Sequence, residues 1–254
     1  MLKFAQNIVG ILFITLAISA CTKSGAEDQA EDGFIAIFNG ENLDGWEGDT
    51  AYWRVENGIL TGEITPDKKL ASNTFLIWED RQTEDFELKV AYRISKKGNS
   101  GINYRSERLS KLPYALRGYQ ADIDGKNNYT GQNYEERGRT TLAYRGQKVL
   151  VSPFEGDPEH LRNYVKKNAW TLAKVTASLG DKDSLRSVIK MGDWNEVQLI
   201  VKDNRLQHYI NGILMSDVTD RDTVNGRKSG RLGFQVHVGP PMKVEFSNIQ
   251  YKEL

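Results

Sequence analysis

The chain has 254 residues, with 34 basic and 34 acidic side chains, three His and one Cys. A formal net charge of zero excludes a nucleic-acid binder that works by neutralising phosphates. A single Cys excludes an internal disulfide and every CxxC-type zinc or redox site, and a hydrophobic content of 39% marks a globular protein, not a disordered one.

At the N-terminus Lys3 precedes an apolar run from Ile8 to Ile18. That run is shorter than the roughly 20 residues a spanning helix needs and has the size of a signal-peptide core. The following Ile18-Ser19-Ala20-Cys21 is similar to a bacterial lipobox, which predicts cleavage before Cys21 and lipidation of its thiol. Residues 1–20 are therefore expected to be a lipoprotein signal, residues 21–33 a polar tether, and residues 34–254 one domain. The expected product is an exported lipoprotein, periplasmic or outer-membrane, held at a membrane surface by its lipid chains.

Beyond residue 34 the pattern has period two. Phe86, Leu88, Val90, Tyr92 and Ile94 alternate with polar or small residues. Val197, Leu199 and Val201 do the same, as do Phe234, Val236 and Val238, and then Val244 and Phe246. Such alternation predicts strands with one face in a core. Asp203-Asn204 and Asn211-Gly212 flank Leu206 to Ile210, predicting a β-meander over residues 195–216. Glu159 to Lys167, and Ser184 to Lys190 after Asp183, are expected to be short helices. The fold class is all-β, a two-sheet sandwich with one or two short helices. Most of the five Trp are expected in the core, with one or two free to stack on a sugar ring.

Chemistry concentrates in four stretches. In Gly118-Tyr119-Gln120-Ala121-Asp122-Ile123-Asp124-Gly125, a strand points Gln120, Asp122 and Asp124 to one face. Neighbouring carboxylates raise each other's proton affinity, which suits acid/base work, and their oxygens also suit a hard cation. In Asn99-Ser100-Gly101-Ile102-Asn103-Tyr104-Arg105, Asn103 and Arg105 share a face. Tyr134-Glu135-Glu136-Arg137-Gly138-Arg139 crowds four charges beside a glycine, and the plain alternative for it is a solvated turn with self-compensating ion pairs. Gln235-Val236-His237-Val238-Gly239-Pro240-Pro241-Met242 sets His237 among apolar residues, off the core face. His160 and His208 fall in a helix-like run and a hairpin and carry less weight.

Taken in order, these stretches resemble the 3-keto-disaccharide hydrolase domain family over roughly residues 34–254. The resemblance also rests on Phe38-Asn39-Gly40-Glu41-Asn42-Leu43-Asp44-Gly45-Trp46, Gly192-Asp193-Trp194-Asn195-Glu196, Asn211-Gly212 and Phe246-Ser247-Asn248-Ile249. Many relatives carry Glu-X-Gln-hydrophobic-hydrophobic-Asp at the central strand, where this chain reads Gln120-Ala121-Asp122-Ile123-Asp124. The resemblance implies a concanavalin A-like jelly roll with a sugar groove, acting on glycosides already oxidised to a ketone at C3. A ketone there acidifies the C2 proton, so a base, an enolate-stabilising donor and an acid suffice for cleavage. Asp122, Asp124, Glu135, Glu136 and His237 are the candidates for base and acid. Asn103, Arg105, Gln120, Arg137, Arg139 and Gln235 are the candidates for holding substrate. No cofactor is required by the sequence, and a divalent cation such as calcium or manganese is left open. The expected partners are an oligosaccharide or glycoside and a membrane surface reached through the lipid, with no nucleic acid. The competing readings are a non-catalytic carbohydrate-binding module and a conventional β-glucanase.

Overall fold

The computed structural model describes residues 33–254. The expected signal, Cys21 and all of the expected tether except Gly33 lie outside the described residues. In chain order the strands are β1 (Ile35–Ala36), β2 (Trp46–Glu47), β3 (Trp53–Glu56), β4 (Ile59–Ile64), β5 (Thr74–Trp78), β6 (Phe86–Ile94), β7 (Asn99–Arg108), β8 (Leu116–Asp124), β9 (Asn133–Glu136), β10 (Thr140–Ala143), β11 (Gln147–Val151), β12 (Val165–Lys166), β13 (Ala169–Trp170), β14 (Ala173–Ser178), β15 (Asn195–Lys202), β16 (Arg205–Ile210), β17 (Ile213–Asp220), β18 (Arg231–Val236) and β19 (Met242–Glu253). They form two sheets. The first runs β14-β11-β17-β16-β15-β6-β19-β4-β3 with β1 added beside β19, and the second β12-β13-β10-β9-β8-β7-β18-β5-β2.

The alternation in the sequence explains the packing. In β6 the five apolar positions are buried and the four between them half-buried. Leu88, Val90, Leu199 and Val201 are fully enclosed, facing Ile102, Tyr104 and Phe234 of the second sheet in one apolar core. Each such side chain contributes about 1.5–3 kcal/mol by leaving water. Phe234 and Phe246, one from each sheet, meet at a centroid distance of 4.4 Å and tie the layers together. The expected meander is present as β15, β16 and β17, and both Asn211 (φ 50°) and Gly212 (φ 77°) take the left-handed conformation that a tight two-residue hairpin turn requires.

Three details differ from the sequence reading. The first short helix is a 3-10 segment, Pro158–Tyr164, ended by the extended backbone of Val165. The second is an α-helix, α1 (Lys182–Ser187), capped by Asp181 instead of Asp183, because the Asp181 carboxylate accepts from the backbone N–H of both Asp183 and Ser184. β18 stops at Val236, so Val238 is exposed and not part of the alternating core face.

Candidate active site

β8 is a central strand of the second sheet and has two unlike faces. Tyr119, Ala121 and Ile123 point into the core, while Gln120, Asp122 and Asp124 point the other way and are still buried. Asp122 is the focus of that outer face. Its Oδ1 accepts from Gln120 Nε2 at 2.6 Å and its Oδ2 from Gln132 Nε2 at 2.5 Å. Gln120 is steadied in turn, its Oε1 accepting from Gln235 Nε2 at 3.1 Å. Burial pushes the Asp122 carboxyl up to about 7, reinforced by the negative charges of Glu136 and Asp124 and opposed by the two glutamine hydrogen bonds. A carboxyl balanced this way changes protonation near neutral pH, which is where a general base works best.

The sequence accommodates this arrangement with a glycine. Gly101 lies directly opposite Asp122 in the ladder, and a Cβ there would come within 2.6 Å of Gln120 Cδ and Cγ. Gly101→Ala is therefore expected to move Gln120 off Asp122. A misplacement of about 1 Å at a reacting group costs up to about 10²-fold in rate, so kcat should fall by roughly 10- to 100-fold. Circular dichroism should show the fold retained. Unchanged kcat would mean that Gln120 does not set the Asp122 geometry.

Asp122 borders a cavity of about 180 Å³ lined by Asn99, Gln120, Tyr129, Gln132, Tyr134, Glu136, Asn168 and His237. That is smaller than the roughly 300–1,000 Å³ of pockets for drug-sized ligands and suits one sugar ring. β9 supplies Tyr134 and Glu136 because residues two apart share a face. Glu136 Oε1 accepts from Asn73 Nδ2 at 3.0 Å, and Arg137 Nε stands 3.6 Å behind it. Burial, helped by Glu136 and Asp122, pushes the Tyr134 phenol up to about 12, so it stays protonated as a donor. His237 Nδ1 lies 2.6 Å from the Val238 carbonyl. A carbonyl only accepts, so Nδ1 carries the hydrogen and Nε2 is left to act in the cavity.

Of the residues singled out in the sequence, the structure brings Gln120, Asp122, Glu136 and His237 together. Gln235 supports from behind. Asp124 departs from expectation: its carboxylate accepts from the backbone N–H of Asn128, Tyr129 and Thr130 and holds the turn after β8. Glu135 points into the sandwich, since it alternates with Glu136, and there it pairs with Arg139. Arg139 is fully enclosed and also pairs with Asp220 and Asp222, so the stretch is a buried ion network and not a solvated turn. Gly138 makes room for it, because a Cβ at that position would fall on Glu135 Oε2. Arg105 is equally committed, donating to the carbonyls of Glu84 and Asp203 and to Asp85 Oδ1. Asn103 is buried farther along β7, beside Ser106. Arg137 borders a separate cavity and reaches the candidate site only through Glu136. No Trp lines the cavity; Tyr129 and Tyr134 supply its aromatic faces.

Sequence reading missed Gln132, Tyr134, Asn99, Tyr129 and Asn168. Tyr134 was accessible from its two-residue spacing to Glu136. Gln132 and Asn168 sit outside regular strands and carry no periodic signal. His208 proves more informative than its hairpin position suggested. It is fully buried between the sheets, with Nε2 2.7 Å from Tyr104 Oη and Nδ1 3.2 Å from the Gln132 carbonyl. The carbonyl fixes Nδ1 as the donor, so Nε2 accepts from the tyrosine. Burial, partly opposed by that hydrogen bond, lowers its pKa to about 4. The neutral ring therefore favours the fold above about 6.5, and this contribution is lost as pH falls toward about 4.

As for a cation, no cluster of three His, Cys, Asp or Glu with ligating geometry occurs among the described residues. Asp122 and Asp124 do not form a joint oxygen set, because Asp124 is occupied by backbone amides.

Comparison with known proteins agrees with this architecture. A candidate glycosyl hydrolase from Parabacteroides distasonis superposes with a TM-score of 0.53 at 19% identity, covering 88% of this chain and 94% of that one. A Bacillus subtilis protein of unknown function with a galectin-like fold gives 0.51 at 11% identity, covering 83% and 90%. At these identities the likeness shows the fold, a concanavalin A-like jelly-roll sandwich. In sequence, a 3-keto-disaccharide hydrolase from Bacteroides thetaiotaomicron is 30% identical over 86 residues, which is 31% of this chain and 29% of that protein. The 3-keto-alpha-glucoside-1,2-lyase-like domain matches residues 33–252. That span holds both sheets and every residue of the cavity, so the chain belongs to the 3-keto-alpha-glucoside-1,2-lyase-like domain family.

Proposed function

We propose that this domain cleaves the glycosidic bond of a 3-keto-glycoside by removing the proton at C2, with Asp122 as the base. The observation that carries the proposal is the buried Asp122 carboxyl, held by two glutamine amides at the wall of a sugar-sized cavity. The C2–H bond breaks and its electron pair forms the C2=C3 bond of an enolate. The enolate then collapses: the C3 ketone re-forms, a C1=C2 bond forms, and the C1–O bond breaks with its pair on the leaving oxygen. Tyr134, kept protonated, donates to the enolate oxygen. His237 Nε2, when protonated, supplies the proton to the leaving oxygen. Water adding across C1=C2 completes a hydrolysis, and release before that step makes the enzyme a lyase. The family membership and the Bacteroides relative's name support a 3-keto substrate. Asp122 and Asp124 do not form the pair of free carboxyls that flanks the bond in a conventional glycosidase, because backbone amides occupy Asp124.

The test is turnover of a 3-keto disaccharide against its unoxidised parent. The expected result is cleavage of the ketone alone, with a slower rate when C2 carries deuterium. Cleavage of only the unoxidised sugar would overturn the elimination mechanism. Binding of both sugars with turnover of neither would make the domain a carbohydrate-binding module.

A further inference from the structure

Tyr129 borders a second cavity as well as the first. This neighbour, of about 220 Å³, is lined by Asn127, Asn128, Tyr129, Tyr144, Arg145, Lys182 and Arg186. Its chemistry differs from that around Asp122. Tyr129 and Tyr144 are 49% and 43% exposed, and they offer two aromatic faces. Three cations accompany them. Lys182 and Arg186 are four apart in α1 and so share one helix face, and both are exposed. Arg145 is only 6% exposed. Its Nη atoms donate to Asn127 and to the Thr130 carbonyl, while its buried Nε has no partner. Its own pKa is lowered, first by burial and also by the like charge of Arg186, against the pull of Asp124 and Asp183.

Among the described residues none of these three cations forms a salt bridge with a carboxylate. Asp181 is occupied in capping α1, and neither it nor Asp183 borders the cavity. Asp124 and Asp183 act on Arg145 only from beyond salt-bridge distance, and a buried guanidinium of this kind, beside two exposed cations and two aromatic faces, suits an anionic ligand. Nothing in the cleavage chemistry at Asp122 needs it.

We infer that this second cavity is the subsite for the leaving half of the substrate, and that it selects a sugar bearing an anionic group, a carboxylate or a sulfate. The inference rests on the reaction proposed above for its position beside the scissile bond. The sugar ring lies against Tyr129 and Tyr144, and the anion reaches Arg145, Lys182 and Arg186. A charged hydrogen bond that forms only with the anionic sugar discriminates by about tenfold or more.

The experiment compares three 3-keto-glucosides with leaving groups of glucose, glucuronic acid and a sulfated glucose, using the native domain and K182Q/R186Q. The native protein should prefer at least one anionic leaving group over glucose by roughly tenfold or more in kcat/KM. The ratio should fall toward one in the double variant, and in the native protein at 1 M salt. The two anionic substrates separate carboxylate from sulfate. Binding of methyl glucuronide, of methyl glucoside sulfate and of methyl glucoside, followed by NMR, needs no turnover. Anion-selective binding lost in K182Q/R186Q supports the subsite even when none of the glucosides is cleaved, in which case the cleavage reading alone fails. Equal turnover of charged and neutral substrates, or no selective binding of either anionic glycoside, overturns the subsite.

Discussion

Replacing Asp122 by Asn should reduce kcat on a 3-keto-glycoside by about 10²- to 10⁴-fold, the range supplied by one general base. It should also make the protein more stable at pH 8. The two effects share a cause. In the fold the Asp122 carboxyl titrates at about 7 in place of 3.8, chiefly because it is buried. A raised carboxyl pKa means that its favourable contribution is complete below about 3.8 and is lost as pH rises through about 7. Over roughly three units at about 1.4 kcal/mol each, the native protein loses about 4 kcal/mol from this group. An Asn cannot ionise and escapes that loss. At pH 4 the difference should vanish, because the neutral acid and the amide both bring a hydrogen to Gln120 or Gln132 and oblige one of them to turn its amide. Melting temperatures at pH 4 and 8, measured beside kcat, check both halves. Full activity in Asp122→Asn removes it as the base, and an unchanged melting temperature at pH 8 shows that the native carboxyl ionises freely there.

The largest stability effect is expected at Arg139. Its guanidinium is wholly enclosed and meets Glu135 Oε2 at 2.8 Å, Asp220 Oδ2 at 2.7 Å and Asp222 Oδ2 at 3.2 Å. Tyr119 Oη adds a 2.6 Å hydrogen bond to Asp220. Arg139→Met would leave three buried carboxylates facing one another without a cation, and breaking a buried pair from one side costs about 3–5 kcal/mol. Arg54 is the internal control. It pairs with Glu56 and Glu63, but its side chain is 44% exposed, so Arg54→Met should cost at most about 1 kcal/mol. Urea unfolding of both variants decides the matter. Equal losses would show that enclosure adds nothing to the network.

These two residues also show how far a sequence can be read. Asp122 was legible because a strand with Tyr119, Ala121 and Ile123 on its core face must present Gln120, Asp122 and Asp124 on the other. The same rule separates Glu136 from Glu135 once β9 is known, but four charges within five residues hide the alternation. Arg139 could not be placed from its own neighbourhood, since its partners Asp220 and Asp222 lie 81 and 83 residues away. Asp124 looked equivalent to Asp122 because spacing shows which face a carboxylate occupies and not whether a turn downstream will fold back to bind it. The strands themselves were clear wherever one face was apolar, as in β6 and β15. They were least clear after β18, where His237 and Val238 continue the alternation past the end of the hydrogen-bonded ladder.

His208 gives the site a history as well as a geometry. It belongs to the meander of the first sheet, yet its Nδ1–H holds the carbonyl of Gln132, 76 residues earlier in the chain, whose side chain holds Asp122. The meander can form from neighbouring segments, whereas this contact must wait until the two sheets dock, and such non-local closures are the slow steps in β-rich proteins. A chain with both sheets formed but still apart would possess every reacting group without their alignment. On the reaction proposed above, the alignment of Asp122 is therefore completed only when the sandwich closes.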